Sequence, residues 1–498
     1  MQKIFDKIND IIDNTKVYDV VEPTNLDFAI NLSKKFKNNI YLKREDSTKV
    51  HSFKIRGAYQ KISSLTKEEL KNGVITASAG NHAQGVALSA QKFGINATIV
   101  MPLNTPSIKI DAVKNFGGNV LLRGDVYDDS QKIALDLAKK NNLAFIHPYD
   151  DYQVMAGQGT ISKEIIENLP DTDFIFVPVG GGGLIAGISS FIKTNYPHIK
   201  IISVEPEDIP TLHSSIKQNK RVELAEIGRF ADGVAVKKIG KLSFEVVKDL
   251  LDGTLLVSND EICAAIKDIY NDTRAITEPS GALALAGVKK YLSDNSIKNK
   301  NIVAIVSGGN INFDRLRYIA ERAEIGEKTE VIFAATIDEK PGSFLNFCRS
   351  LNNHNITEFN YRFANAKIAH IFVGVGINEC EKDDFFTNLT EFSITDLSDN
   401  SIAKSHIRYM VGGKSNAGDE VLYRFEFPEK PGALLNFLIE ISGKWNISLF
   451  HYRNHGAAFG QVLVGFQTKN ITELEKSLKY IGYLYFNESD NSAYKFFL

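Results

Sequence analysis

Cysteine is scarce in this chain. Among 498 residues only Cys263, Cys348 and Cys380 occur, far apart and with no CxxC pair. That spacing supports neither a disulfide framework nor a zinc cluster, and it favours a reducing, cytoplasmic setting. An excess of one charge is also lacking. The 58 basic and 60 acidic side chains leave a formal charge of -2, so no overall field draws the protein to nucleic acid or an anionic membrane. The N-terminus carries Lys3, Asp6, Lys7 and Asp10, and so lacks the apolar core of a signal peptide. Ile4, Ile8 and Ile11 instead recur at helical spacing and predict a docked amphipathic helix. One long uncharged stretch runs over residues 174–192, but Pro178 and four consecutive glycines interrupt it. A buried strand, a loop and a helix fit it better than a membrane span.

What is present is ordinary soluble-protein material, 43% hydrophobic and 24% charged. At about 150 residues per domain the length suggests roughly three units. Strand-like runs at 39–42, 73–76, 97–101, 119–122, 175–179, 201–204 and 302–306 are expected, with a helix over 83–93. Strands alternating with helices predict an α/β unit with mostly parallel sheet, in which ligands sit beyond the carboxyl ends of strands.

After a charged connector at 321–330 the chain repeats itself. Residues 338–347 (DEKPGSFLNF) match 428–437 (PEKPGALLNF) at an offset of 90, and 355–362 (NITEFNYR) match 446–453 (NISLFHYR) at 91. Each copy reads as strand, Pro-Gly turn, helix and strand, with a linker expected at 411–420. Pro341-Gly342 and Pro431-Gly432 place backbone N–H groups where an amino-acid carboxylate can be received.

Four loops carry candidate chemistry. The first holds Ser52-Phe53-Lys54-Ile55-Arg56-Gly57. A lysine ahead of a helix is commonly just a solvated charge, but apolar Phe53 and Ile55 flank this one. Desolvation lowers a lysine's pKa and suits it to Schiff-base chemistry and proton transfer. The second holds Gly180, Gly181, Gly182 and Gly183, followed by Leu184, between a buried strand and an apolar helix. Without Cβ atoms, successive N–H groups can converge on a phosphate. The loop lacks the Lys-Ser/Thr of a P-loop and the spacing of a dinucleotide fingerprint. The third, Ser78-Ala-Gly-Asn81-His82, admits a ligand ring and offers a neutral donor in Asn81; His82 is expected to be structural. The fourth, Ser307-Gly-Gly-Asn310, supplies a hydroxyl able to meet a ring nitrogen without charging it. The loop at Glu278-Pro-Ser-Gly281 is of the same kind.

Together with Tyr41-Leu-Lys-Arg-Glu-Asp46, these motifs resemble those of the fold-type II pyridoxal-phosphate enzymes, and within them the biosynthetic threonine dehydratases, over nearly the whole chain. The resemblance implies two open, mostly parallel sheets with helices on both faces at 1–323, with a smaller subdomain at about 50–150. It also implies two α+β ACT-like regulatory domains at 330–404 and 421–495. Lys54 and Ser78 are the implied catalytic residues. Lys54 would hold pyridoxal 5'-phosphate as a Schiff base, Phe53 would pack beside its ring, and Asn81 would contact its 3'-hydroxyl. Gly180 to Gly183 and the Leu184 amide would bind its phosphate, and Ser307 its ring nitrogen. Ser78, Ala79 and Gly80 would line the substrate carboxylate. Glu205-Pro206 matches a cation-binding pair of serine racemase-like relatives, but Thr211 replaces the expected further acid, so no essential metal is expected. The implied activity is deamination of L-threonine to 2-oxobutanoate and ammonia, with L-serine a weaker substrate, at the head of isoleucine biosynthesis. Isoleucine and valine are the implied allosteric ligands and a homotetramer the implied assembly. The runner-up is another elimination enzyme or racemase of the same fold, whose shorter members lack the repeats.

Overall fold

The protein is described from a computed structural model. It covers residues 2–491 except 104, 229, 327–328, 353, 364–366, 401–402, 404–406, 410–414, 416, 429–431, 442–443 and 454–458. Most of the expected linker at 411–420, Pro431 of the second Pro-Gly turn, and the last residues of the expected second regulatory domain lie outside the described residues. The chain divides into two compact units, Met1–Ala323 and Glu324–Leu498.

The first unit holds two sheets. Six strands lie in the order Leu26–Phe28, Asn39–Arg44, Asn301–Val306, Phe174–Pro178, Lys200–Pro206 and Gly253–Val257. All neighbours are parallel except Leu26–Phe28, an antiparallel edge. The central strands are apolar on both faces because both faces are covered. Phe174 and Phe176 enter one core cluster with Ile302 and Ala304, whereas Ile175 and Val177 enter another with Val303 and Ile305. Such near-continuous apolar runs mark a parallel sheet sandwiched by helices. The smaller sheet orders Asn119–Leu122, Ala97–Met101, Val74–Ala77 and Ala144–Phe145, all parallel.

The uncharged stretch at 174–192 resolves into the strand Phe174–Pro178, the glycine loop and the helix Gly183–Asn195. No helix among the described residues is long and apolar enough to cross a membrane. The first helix, Gln2–Asp13, buries Ile8 and Ile12 and packs Ile4 and Ile11 against the same core cluster, so the expected face is the docked one.

The second unit is one eight-stranded antiparallel sheet shared by both repeats. Its order is Ser393–Asp396, Glu330–Asp338, Ile368–Gly376, Asn355–Arg362, Asn446–Arg453, Phe459–Gln467, Glu420–Pro428 and Leu484–Asn487. Within each repeat the strands run fourth, first, third, second toward the centre, so the two second strands meet. Register shifts occur at equivalent places, between Ile356 and Glu358 and between Ile447 and Leu449. The core is continuous through both copies and rich in phenylalanine, with the equivalent rings of Phe359 and Phe450 5.4 Å apart.

Candidate active site

Apart from the Glu278 loop, which joins the helices Asn259–Thr273 and Pro279–Asp294, the loops picked out in the sequence leave the carboxyl ends of strands of the two sheets. Val306 delivers Ser307, Pro178 the glycine loop, Ala77 the Ser78 loop, and Phe145 the segment 146–150.

Lys54 opens the helix Lys54–Ser63, with Phe53 at the cap position. Its Nζ donates to the Pro148 carbonyl at 2.9 Å and stands 5.2 Å from the centre of the Phe53 ring. Part of its surface remains accessible, yet protein surrounds the amine, and desolvation outweighs the nearby Glu278 charge to bring its pKa down to about 8. A substantial neutral fraction near physiological pH makes the amine a usable nucleophile and base. The backbone ties this segment to the next motif, because Phe53 N donates to Ser307 O at 3.2 Å and Ser52 bridges Gly308.

Pro148 leads directly to Tyr149, which shapes the glycine loop. A Cβ on Gly181 would lie 2.3 Å from the Tyr149 ring, and one on Gly183 would lie 2.8 Å from its carbonyl. Glycine is required here for close approach. Gly182, at φ 90°, turns the loop into the helix Gly183–Asn195. Among the described residues, the N–H groups of Gly181, Gly182, Gly183 and Leu184 have no protein acceptor. Unpaired N–H groups at the start of a 13-residue helix form an anion cradle.

Ser78 Oγ accepts from the Gly80 N–H at 3.3 Å, and the loop leads into the helix Asn81–Phe93. That helix lies against the lysine, since a Cβ on Gly85 would stand 3.1 Å from the Lys54 carbonyl carbon. Asn81 is held at both ends of its amide. Its Nδ2 donates to Glu278 Oε1 at 2.7 Å, and its Oδ1 accepts from Asn310 Nδ2 at 2.8 Å. Ser307 is buried and its hydroxyl donates to Ser280 O at 3.1 Å. Meeting a ring nitrogen therefore means exchanging that bond.

His82 is buried, with Nε2 3.0 Å from Ile146 O and Nδ1 unpartnered. Burial and then Lys54 push its pKa down to about 3, so the ring is neutral near physiological pH. Glu205 is occupied as well: it accepts from Thr211 Oγ1 at 2.9 Å, Leu212 N at 2.7 Å and His213 N at 2.7 Å. Among the described residues no group of three His, Cys, Asp or Glu side chains is placed to hold a metal ion.

The Tyr41 to Asp46 motif supplies a support. Arg56, fully buried two residues after Lys54, binds Glu45 Oε2 at 2.7 Å and Glu164 Oε1 at 2.5 Å. Lys43 Nζ meets Glu164 Oε2 at 2.5 Å. Two cations and two carboxylates thus neutralise one another beneath the Lys54 helix.

Sequence reasoning missed Pro148 and Tyr149, which join Lys54 to the glycine loop, and the side chains of Glu278 and Asn310. The Glu278 loop was visible, but nothing local indicates that its carboxylate reaches Asn81, 197 positions away. An amine of lowered pKa, an N–H cradle and a fixed amide N–H suit a phosphorylated aromatic aldehyde held at its carbonyl carbon, phosphate and ring hydroxyl.

Comparison with known proteins agrees with that chemistry. Residues 17–308 match the family model described as pyridoxal-phosphate dependent enzyme. Residues 321–407 and 411–498 each match the C-terminal regulatory domain of threonine dehydratase. The chain is 50% identical to the biosynthetic L-threonine dehydratase IlvA of Haemophilus influenzae, over 99% of this chain and 97% of that one. It is 48% identical to the Escherichia coli protein of the same name, over 97% and 95%. Among solved structures, the processed form of threonine deaminase isoform 2 from Solanum lycopersicum superposes with a TM-score of 0.64 at 48% identity, over 64% of this chain and 88% of that one. Maize serine racemase superposes at 0.60 and 32% identity, over 63% and 95%.

Proposed function

The chain belongs to the pyridoxal-phosphate-dependent enzymes, with a doubled threonine-dehydratase regulatory tail, and from that premise we propose that it deaminates L-threonine to 2-oxobutanoate and ammonia in isoleucine biosynthesis. The observation that carries the reading is the Lys54 amine, lowered to about 8 and joined through Pro148 and Tyr149 to a cradle of unpaired N–H groups. Full-length similarity to biosynthetic dehydratases supports the choice of substrate.

The cofactor supplies an electron sink for charge developing at the substrate Cα. Lys54 would hold its carbonyl carbon, and the neutral Lys54 amine would take the substrate Cα proton. The backbone from Gly180 to Leu184 would hold the phosphate. Phe53 would flank the ring, Asn81 would donate to the ring oxygen, and Ser307 would meet the ring nitrogen with a neutral hydroxyl that does not enforce its protonation. Ser78, Ala79 and Gly80 hold the substrate carboxylate at the start of the helix Asn81–Phe93 and orient the Cα–H bond toward the lysine. L-Serine is the weaker substrate, because a pocket for one methyl discriminates by only about 1–3 kcal/mol.

The tail senses isoleucine as inhibitor and valine as modulator. The doubled regulatory-domain match supports this reading. The assembly is a homotetramer. A cytoplasmic location accords with three unpaired cysteines.

The test is 2-oxobutanoate and ammonia release by cofactor-loaded protein given threonine or serine, with and without isoleucine. Threonine preferred, and suppressed by isoleucine, is expected. Serine preferred, or racemised without ammonia, overturns the substrate assignment; turnover indifferent to isoleucine overturns the sensor.

A further inference from the structure

Glu278 stands where its own helix would ordinarily use it. It is the residue before Pro279–Asp294, yet its side chain makes no capping bond there. The carboxylate is buried and turns instead to Asn81, whose Nδ2 donates to Oε1 at 2.7 Å. The space for the pair comes from glycine: a Cβ on Gly308 would lie 2.6 Å from Glu278 Oε1 and 3.1 Å from Asn81 Nδ2.

The opposite end of the Asn81 amide is fixed too. Asn310 Nδ2 donates to Asn81 Oδ1 and to the Val50 carbonyl, each at 2.8 Å. Val50 thereby sets the orientation of Asn310, and Asn310 sets that of Asn81. Turning Asn81 over would place its carbonyl against the Glu278 carboxylate and its amino group against that of Asn310. Both contacts would be repulsive, and buried polar mismatches are costly. In the observed orientation one N–H of Asn81 remains without a protein acceptor among the described residues.

We propose that Glu278 is a positioning residue that locks the Asn81 amide in a single orientation, and so makes it a donor to the oxygen on the cofactor ring. This rests on the cofactor-binding part of the reading above, and not on the identity of the substrate. A site of purely structural purpose gains little from a buried carboxylate. Burial, and then Asp232, raise the Glu278 pKa to about 7 against the Asn81 bond and the Lys109 charge, while Glu278 in turn supports the charged form of Lys54. In its ionised form this carboxylate can only accept, so it selects the amino end of the Asn81 amide.

The experiment uses the full chain without substrate, so a failed threonine assay leaves its outcome unaffected. Glu278→Ala, Asn81→Ala and the double variant are titrated with pyridoxal phosphate, recording the dissociation constant and the position of the visible band, with thermal melting as the check on folding. Losing one hydrogen bond of this kind weakens binding on the order of tenfold. Each single variant is expected to lose about that much and to move the band in the same direction, and the double variant to be no weaker than Asn81→Ala. If Glu278→Ala does not fold, Glu278→Gln takes its place in the same cycle, since its amide can present either a donor or an acceptor and no longer selects. A wild-type dissociation constant and band in the Glu278 variant would overturn the proposal, as would losses that simply add in the double variant.

Discussion

Asn360 and His451 pair directly across the centre of the tail sheet. They are 91 positions apart, the offset that relates the second strands of the two repeats, so each is the other's equivalent and a local twofold axis passes between them. The central ladder runs from Glu358 opposite Arg453 to Arg362 opposite Leu449, and Arg362 reaches on to Glu420 at 2.5 Å. Neither repeat has a finished edge here without the other. A chain ending before Glu420 exposes the strand Asn355–Arg362, an invitation to pairing with other chains. Light scattering is expected to show such a truncation aggregated. A truncated protein as monodisperse as the full chain would contradict the shared-sheet reading.

The burial of Lys54 gives a pH dependence. A folded pKa of about 8 against an ordinary 10.5 means that the folded cofactor-free protein binds fewer protons here than the unfolded chain between those values. The cost of burying the ammonium is therefore felt fully below pH 8 and is relieved as pH rises toward 10.5. Lys54→Met should raise the melting temperature of cofactor-free protein most at pH 7 and progressively less above pH 8. In the wild type, the rate of combination with pyridoxal phosphate should climb as pH passes about 8. A rate that keeps rising about tenfold per pH unit beyond pH 8, toward the ordinary lysine value, would show that the amine is not desolvated.

For His82 the expectation is stability without catalysis. Its pKa of about 3, against an ordinary 6.5, makes its contribution complete above pH 6.5 and steadily lost as acidity increases below that. His82→Gln should soften the acid limb of a stability-versus-pH curve and leave kcat within a few-fold of wild type. A fall in kcat of two orders of magnitude or more, with an unchanged melt, would make the imidazole a participant in the chemistry.

The buried group of Lys43, Glu45, Arg56 and Glu164 is poised in charge, and removing one member leaves another uncompensated. Glu164→Gln should cost about 3 kcal/mol in urea melts. Lys43→Met added to it should recover part of that loss, because the stranded ammonium is then gone. Strictly additive losses would count against a coupled network.

Legibility followed the distance over which each signal acts. The strand at Ala97–Met101 and the strand at Asn119–Leu122 were readable to the residue, because apolar runs between turn signals are local. The glycine loop and Lys54 were readable for the same reason. The strand Leu26–Phe28 was missed: it is a three-residue edge with no buried member. Gly253–Val257, on the opposite edge, buries only Val257 fully and was missed as well. The carboxylate on Asn81 and the tyrosine under the glycine loop depend on where distant loops meet. The duplication announced the two repeats but could not announce one sheet, because register across the axis is a tertiary matter.

The most direct test of the central claim joins the lysine to the reaction. Cofactor-loaded wild type is reduced with borohydride and its peptides are mapped, while wild type and Lys54→Ala are assayed for 2-oxobutanoate from L-threonine. The expected result is a pyridoxyl group on Lys54 alone, with turnover in the wild type and at least a thousandfold less in the variant. Label on a different lysine, or a variant that still deaminates threonine at a comparable rate, would contradict it.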